Sequence, residues 1–300
     1  MDKKMLLVVN PCSGKAKMRT ELLSVVQTFC DADYDVTIYT TKERADATKK
    51  VMTLKNGQFD LIVVCGGDGT LNEVITGLMN AKIKCVLGYI PSGTLNEWSS
   101  SINISRSIKQ AAKDIINAKV ITLDIGKFGD KYFTYTASFG AFTEASYSAP
   151  QDIKNVLGQA AYLIEGIKSL TNIKPIHLKF ESAEKTIEGD FLFGAISNSL
   201  SVGGVVKLDK AQVELNDGIF EVVLIRKPDN LIQLQSVIDG ILRHDLNREG
   251  IEFFHSNKIT VSMGKDVPWT LDGEYAEGAD TVLIENIHSA IELTVPDIKE

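Results

Sequence analysis

The sequence predicts two domains of different class, an α/β domain with a parallel sheet over residues 1–122 and an antiparallel β-sandwich over residues 123–290. The first prediction rests on short runs of branched apolar side chains that alternate with stretches of helical spacing. The second rests on a change at Thr122, after which strand-like pieces follow one another with turn residues between them. A last segment, 291–300, is a candidate to return to the first domain.

Four apolar runs are predicted to be buried parallel strands of the first domain: residues 5–10, 34–40, 59–65 and 85–90. Stretches of helical spacing follow them: residues 19–30, 45–55, 71–79 and 107–117. Continuous apolar runs are typical of strands covered by helices on both faces, so a doubly wound sheet is expected.

The second domain is predicted from shorter strand-like pieces: residues 122–128, 131–137, 176–182, 186–197, 219–225, 258–263 and 281–285. Two predicted helices interrupt them, over residues 153–170 and 231–242. A cleft between two such domains suits a reaction between two substrates.

Composition excludes several classes of protein. The chain has 300 residues, of which 44% are hydrophobic and 24% charged, as in ordinary globular proteins. No run approaches the roughly 20 apolar residues of a spanning helix, so a cytoplasmic protein is expected. Residues 1–120 hold 16 Lys and Arg against 12 Asp and Glu, and residues 121–300 hold 16 against 27. The mildly positive first half suits a polyphosphate ligand, but nothing resembles the basic stripe of a nucleic-acid-binding protein.

The sharpest motif is the run Gly66-Gly67-Asp68-Gly69-Thr70-Leu71-Asn72-Glu73, which follows the third predicted strand and opens a helix. Its glycines allow a ligand close to the backbone, and a helix N-terminus favours phosphate. Bare phosphate would repel Asp68, so this carboxylate is expected beside a magnesium ion or a ribose hydroxyl. The alternative is a plain turn in which Asp68 caps the helix.

Two further loops follow predicted strands at the same edge of the sheet, where ligands of such folds bind. The first is Asn10-Pro11-Cys12-Ser13-Gly14-Lys15, which lacks the Walker A arrangement and by itself is equally consistent with a phosphate contact or a plain turn. The other is Pro91-Ser92-Gly93-Thr94-Leu95-Asn96, which offers hydroxyl and amide groups. Three loops at one edge indicate a binding site more strongly than any one of them.

In the second domain, Asn216-Asp217-Gly218-Ile219-Phe220 and Leu271-Asp272-Gly273-Glu274-Tyr275 read as Asp-Gly turns between strands. Glu274 is of further interest because transfer of phosphate to an alcohol benefits from a carboxylate base near the hydroxyl.

Taken together, these motifs resemble, in order and approximate position, those of the soluble bacterial diacylglycerol kinases. The glycine loop is shared with NAD kinases and phosphofructokinases, whereas the Asn-Pro-x-Ser-Gly opening and the late Asp-Gly-Glu are more particular to lipid kinases. The resemblance implies an NAD kinase-like first domain and ATP-dependent phosphorylation of a lipid hydroxyl. The expected acceptor is diacylglycerol and the product phosphatidic acid.

The resemblance also implies the site residues. Catalytic roles fall to Glu274, as proton acceptor, and to Asp68. ATP contacts fall to Asn10, Pro11, Cys12, Ser13, Gly14, Thr41, Gly66, Gly67, Asp68, Gly69, Thr70, Leu71, Asn72 and Thr94. A structural Mg²⁺ maps to Asp217, with contributions from Glu214 and Ile219.

Some features leave alternatives open. Where many relatives have Asn-Asp-Phe, this chain has Asn96-Glu97-Trp98, so the acceptor lipid stays undetermined. An NAD kinase acting on a soluble dinucleotide and a non-catalytic nucleotide sensor are the rival functions. The resemblance implies peripheral contact with the inner face of the membrane, and the oligomeric state stays open, a homodimer among the alternatives.

Overall fold

The computed structural model describes residues 3–14, 17–93, 96, 98–99, 102–141, 174–199, 201–202, 206–207, 214–265 and 267–296. The chain divides into two compact units, Met1–Ile125 with His288–Glu300, and Gly126–Ile287. The helix predicted over residues 153–170 and the candidate Thr94 lie outside the described residues. No helix in the described part is long and apolar enough to span a bilayer.

Strands and helices alternate along the first unit. The strands are β1 (Lys3–Val9), β2 (Tyr34–Thr40), β3 (Leu61–Gly66), β4 (Val86–Pro91) and the first part of β5 (Lys119–Phe128). The helices are α1 (Lys17–Cys30), α2 (Asp46–Met52), α3 (Asp68–Ala81) and α4 (Ile108–Ile116).

The second unit is built mainly of strands. They are β6 (Lys131–Phe133), β7 (Thr136–Gly140), β8 (Ile176–Glu181), β9 (Thr186–Ser197), β10 (Ser201–Val202), β11 (Val206–Lys207), β12 (Phe220–Arg226), β13 (Ile251–Ser256), β14 (Lys258–Ser262), β15 (Pro268–Leu271), β16 (Glu274–Glu277) and β17 (Thr281–Val295). One helix, α5 (Leu231–Arg243), follows β12.

The sheet of the first unit is parallel and has the order β2-β1-β3-β4-β17. Every residue of β3 is buried, as are Met5–Val9 of β1. This burial explains the continuous apolar runs, because helices cover strands of this kind on both faces. The carboxyl ends of β1, β3 and β4 lie at one edge, so the loops that follow them are neighbours.

The strands of the second unit pair antiparallel, in the order β16-β15-β7-β9-β8-β14-β17, and β12 pairs with both β9 and β13. Alternate side chains of β12 enter two apolar clusters. Val222 faces a cluster that contains Trp269, and Val223 faces another beneath Val237 of α5. Two buried faces explain why residues 222–225 of β12 are all apolar, without alternation.

Two strands differ most from their predicted extents, while others shift by one to three residues at an end. The strand expected over 131–137 is broken between β6 and β7, because the backbone N–H groups of Thr134 and Tyr135 donate to the side chain of Asp272. β17 continues ten residues past the predicted 281–285, to Val295, where its end pairs with β4. The sequence prediction also omitted β10, β11, β13, β15 and β16.

Candidate functional site

The loop after β1 is fixed by the side chain of Asn10. Asn10 Oδ1 accepts a hydrogen bond from Cys12 N at 3.0 Å, which closes a short turn. Asn10 Nδ2 donates to Thr70 Oγ1 at 2.9 Å, and Asn10 N donates to Cys65 O at 2.9 Å. One residue therefore ties the first predicted loop to β3 and to the glycine loop that follows it.

The glycine loop is the turn between β3 and α3. Gly67 lies directly before the helix, and Asp68 is its first residue. Thr70 is buried beneath the loop, and a Cβ on Gly66 would lie 2.5 Å from Thr70 Cβ. Gly69 is exposed and Asp68 half-buried. The N–H groups of this first turn and the helix dipole make it suitable for an anion, and Asp68 makes it suitable for an anion that carries a cation.

The loop after β4 contacts both other loops. Ser92 N donates to Gly66 O at 2.8 Å, and the hydroxyls of Ser13 and Ser92 are 2.7 Å apart. A Cβ on Gly93 would lie 2.6 Å from Gly67 Cα. The structure therefore brings the three predicted loops together, and glycine is required where the backbones of two loops approach most closely.

Gly14 ends the described part of the first loop, which stops before Lys15. Its φ of +55° lies in the left-handed region, and a Cβ there would be 2.2 Å from Ser92 O. Only glycine fits this position without displacing the third loop.

Thr41, the predicted contact after β2, is buried, and its N–H donates to Val9 O at 2.9 Å. The segment that follows Thr41 in the chain is hydrogen-bonded to Glu73 of α3. Glu73 Oε1 accepts from Ala45 N at 2.7 Å, and Oε2 accepts from Ala47 N at 3.2 Å. Glu73 thus positions the loop after β2 against the glycine loop, a role that the sequence did not reveal because its partners are backbone groups.

Two buried groups beside the glycine loop stay neutral. Burial raises the pKa of the Cys65 thiol to about 12, and burial also raises the pKa of the Tyr89 hydroxyl, with the negative charge of Asp68 adding to the effect. At neutral pH neither group adds charge next to the Asp68 carboxylate.

Glu274 begins β16 and is exposed. It follows a two-residue turn in which Asp272 has φ +49° and Gly273 φ +82°, values typical of the tight hairpin turn that joins twisted strands. Leu271 and Glu274 are paired across this turn. The carboxylate at position 274 is therefore presented by a tight hairpin.

Asp217, Glu214 and Ile219, the predicted metal residues, lie in the loop before β12. Asp217 Oδ1 accepts a hydrogen bond from Ile219 N at 2.9 Å, and the side chains of Asp217 and Glu214 are exposed. Nearby Glu221 is 1% exposed, and its Oε2 has no hydrogen-bond partner among the residues that the structure describes.

Burial, together with the nearby charge of Asp217, raises the pKa of Glu221 to about 8. A cation in this loop would offset both the buried carboxyl and the neighbouring carboxylate, so the residues present fit a divalent ion. No three His, Cys, Asp or Glu side chains of the described residues are grouped as a metal site.

Comparison with known proteins gives two family matches. Residues 4–128 match the diacylglycerol kinase catalytic domain, and residues 137–295 match the YegS C-terminal NAD kinase beta sandwich-like domain. The chain is 34% identical over 275 residues to a diacylglycerol kinase of Bacillus subtilis, covering 91% of this chain and 90% of that protein. It is 30% identical to a diacylglycerol kinase of Staphylococcus saprophyticus, covering 100% of this chain and 98% of that protein.

Solved structures agree with the sequence comparison. A crystal structure described as a diacylglycerol kinase of Bacillus anthracis superposes with a TM-score of 0.79 at 26% identity, covering 99% of this chain and 97% of that one. These matches confirm the predicted fold class, an α/β domain and a β-sandwich. The chain belongs to the family of bacterial diacylglycerol kinases, in which a diacylglycerol kinase catalytic domain is followed by a β-sandwich related to that of NAD kinases.

Proposed function

We propose that this protein transfers the γ-phosphoryl group of ATP to the hydroxyl of diacylglycerol and forms phosphatidic acid. The relatives named above are diacylglycerol kinases, which supports the acceptor, and kinase membership supports ATP as the donor.

The observation that carries the proposal is the contact among the three loops. Asn10 reaches Thr70, Ser13 reaches Ser92, and Gly93 packs on Gly67, all at the carboxyl edge of one parallel sheet. Such an edge, with a helix N-terminus in it, is where nucleotide phosphates bind in open α/β sheets. We assign ATP to the loops 10–14 and 66–72, with Thr41 and Thr94 as further contacts.

Transfer requires one bond to form and one to break. The acceptor oxygen attacks the γ-phosphorus, the bond from that phosphorus to the β,γ-bridging oxygen breaks, and ADP leaves. The hydroxyl proton passes to the carboxylate of Glu274, which is exposed and presented by the β15-β16 hairpin. A carboxylate placed in this way is suited to general-base catalysis.

A magnesium ion bound with ATP would neutralise charge on the β- and γ-phosphates. Asp68, the first residue of α3, is the residue we assign to it. We assign a second, structural ion to Asp217, with Glu214 and the backbone of Ile219, because buried Glu221 beside them carries an oxygen that finds no partner in the described part of the chain.

Diacylglycerol resides in bilayers, so the protein must reach a membrane surface to meet it. We propose peripheral, reversible association at the inner face of the membrane. Retention in the membrane pellet after a high-salt and carbonate wash would contradict reversible binding.

A panel of acceptors tests the function. Purified protein is incubated with γ-labelled ATP and Mg²⁺, and with mixed micelles that contain diacylglycerol, a sphingoid base or phosphatidylglycerol, or with NAD in solution. We expect label in phosphatidic acid at a rate well above that with the other acceptors. Preferred labelling of NAD would favour the dinucleotide kinase instead, and ATP binding without transfer to any acceptor would favour the nucleotide sensor.

A further inference from the structure

Tyr89 of β4 lies beneath the candidate nucleotide loops. The residue is 0% exposed, yet its hydroxyl reaches two polar side chains. It is 3.2 Å from Asp68 Oδ1 and 3.4 Å from Asn96 Oδ1. Asp68 belongs to the glycine loop and Asn96 to the third loop, so one hydroxyl lies between the two.

Asn96 is oriented toward Tyr89 by its own loop. Its Nδ2 donates to Gly93 O at 2.9 Å, which leaves Oδ1 facing the tyrosine. Asn96 has a left-handed φ of +48°, a conformation that asparagine tolerates better than most residues. The ring of Tyr89 packs at 6.4 Å between centroids from the ring of Trp98. The position of the hydroxyl is thus fixed by the packing of its ring and by the Asn96 side chain of the third loop.

A tyrosine hydroxyl has one proton and two acceptors here. Donation to the Asp68 carboxylate is the stronger interaction, because hydrogen bonds to ionised groups are about twice as strong as neutral ones. When a cation binds the Asp68 carboxylate, the hydroxyl can instead donate its proton to Asn96 Oδ1. The hydroxyl therefore connects cation binding at Asp68 to the third loop.

We propose that Tyr89 is a positioning residue of the nucleotide site, whose hydroxyl orients the Asp68 carboxylate and couples it to Asn96 in the third loop. The inference rests on the proposed function insofar as Asp68 takes part in binding ATP with Mg²⁺. It does not depend on which acceptor is phosphorylated.

Packing alone does not require tyrosine at this position. Phenylalanine has the same ring, fits the same apolar space, and avoids burying a hydroxyl. A residue present only for packing would lose nothing when the hydroxyl is removed, and this difference provides the test.

The substitution to measure is Tyr89→Phe, with Tyr34→Phe as the matched loss of a hydroxyl from a tyrosine on β2 of the same unit. We expect Tyr89→Phe to raise the KM for ATP and the calorimetric Kd for ATP with Mg²⁺ by about 10-fold, the effect of one hydrogen bond to a charged group. The KM for diacylglycerol and the melting temperature should stay as in the wild type. Tyr34→Phe should change none of these values.

A double-mutant cycle separates positioning of Asp68 from other effects. In the Asp68→Asn background, Tyr89→Phe should weaken the binding of ATP by no more than about twofold, because the carboxylate that the hydroxyl orients is gone. Initial-rate values of kcat/KM supply the same cycle if calorimetry cannot reach the weakest binding.

Equal losses in both backgrounds, or an unchanged Kd in Tyr89→Phe, would overturn the inference. A different result is expected if diacylglycerol is not the acceptor. The wild type would then bind ATP and show the coupling between Tyr89 and Asp68, but would not label diacylglycerol.

Discussion

The side chain of Asp272 accepts two hydrogen bonds from Thr134, one from the backbone N–H at 2.6 Å and one from Oγ1 at 2.7 Å. Tyr135 N and Thr136 N donate to the other carboxylate oxygen at 2.9 and 3.1 Å. Burial raises the pKa of the Asp272 carboxyl, and the four donors act in the opposite direction by stabilising its charged form. Asp272 is therefore an anchor that fixes the hairpin carrying Glu274, two residues away.

Replacement of this anchor should destabilise the second unit. In Asp272→Asn the amide group turns an N–H₂ toward backbone N–H donors, so at least one buried donor loses its acceptor. We expect the free energy of unfolding to fall by about 3 kcal/mol, the size of a lost buried hydrogen bond to a charged group. Urea denaturation followed by tryptophan fluorescence measures this change, because Trp269 lies in the core of the same unit.

Asp280→Asn, at an exposed ion pair with Lys265, is the control and should change stability little. A similar loss in both variants would contradict the anchoring role.

Close packing of the loops predicts a contrast between two glycines. Gly14 and Gly57 both have positive φ, +55° and +73°. A Cβ on Gly14 would be 2.2 Å from Ser92 O, whereas no atom of the described residues lies within 4 Å of a Cβ on Gly57. Alanine at either position adds a backbone strain of about 1 kcal/mol. Gly14→Ala should in addition displace the third loop and weaken ATP binding by more than tenfold, by analogy with overpacking costs of about 1–3 kcal/mol. Calorimetric ATP affinities that fall equally in both variants would refute the loop contact as the cause.

A structural cation at Asp217 predicts a specific response to magnesium. Added Mg²⁺ should raise the melting temperature of the wild type, because an ion that binds only the folded state stabilises it. Asp217→Ala should melt lower than the wild type in magnesium and should respond less to the ion. Asp229→Ala, on the exposed loop before α5, is the control and should respond as the wild type does. Equal magnesium responses in wild type and Asp217→Ala would leave the plain Asp-Gly turn as the better explanation.

His177 on β8 predicts a pH dependence of stability. Its Nδ1 is 2.8 Å from Asp190 Oδ1 and its Nε2 is 3.4 Å from Glu188 Oε1, and these hydrogen bonds raise the pKa of the imidazole above 6.5. A raised folded-state pKa gives stability that is fully present below the unfolded pKa and is lost as the pH rises through the folded value.

The melting temperature of His177→Gln should therefore lie below that of the wild type at about pH 5.5 and approach it at about pH 8.5, on either side of the imidazole titration. His244→Gln serves as the control, because His244 lies at the end of α5 and outside the β8-β9 pair that carries His177, Asp190 and Glu188. A difference between His177→Gln and wild type that is constant over this range would show that the ion pairs contribute nothing.

The first unit was predictable because burial of its strands and close contact of its loops each restrict which residue types can occur at particular positions. Strands buried on both faces, such as β3, must be apolar throughout, and the backbone contact between Gly67 and Gly93 requires glycine. Both constraints are visible in single residues or short runs.

Other features depend on partners distant in the chain. The break between β6 and β7 is caused by Asp272, 138 residues from Thr134. The hydroxyl of Tyr89 lies 21 residues from Asp68, and Glu73 binds backbone N–H groups, which no side-chain pattern records. β16, with exposed residues at three of its four positions, has too few apolar side chains to show a strand period.

Removal of the Glu274 carboxylate is the decisive change, because Glu274→Gln keeps the shape of the side chain and removes the base. Transfer of label from γ-labelled ATP to diacylglycerol in mixed micelles gives kcat, and calorimetry gives ATP affinity. General-base contributions are about 10²- to 10⁴-fold, so we expect kcat to fall by at least about 100-fold while the Kd for ATP stays within about twofold. Glu277→Gln, an exposed residue on the same strand, should leave both values unchanged. A kcat for Glu274→Gln within about threefold of the wild type, or a loss of ATP binding in this variant, would contradict the assignment of Glu274 as the base that receives the acceptor's proton.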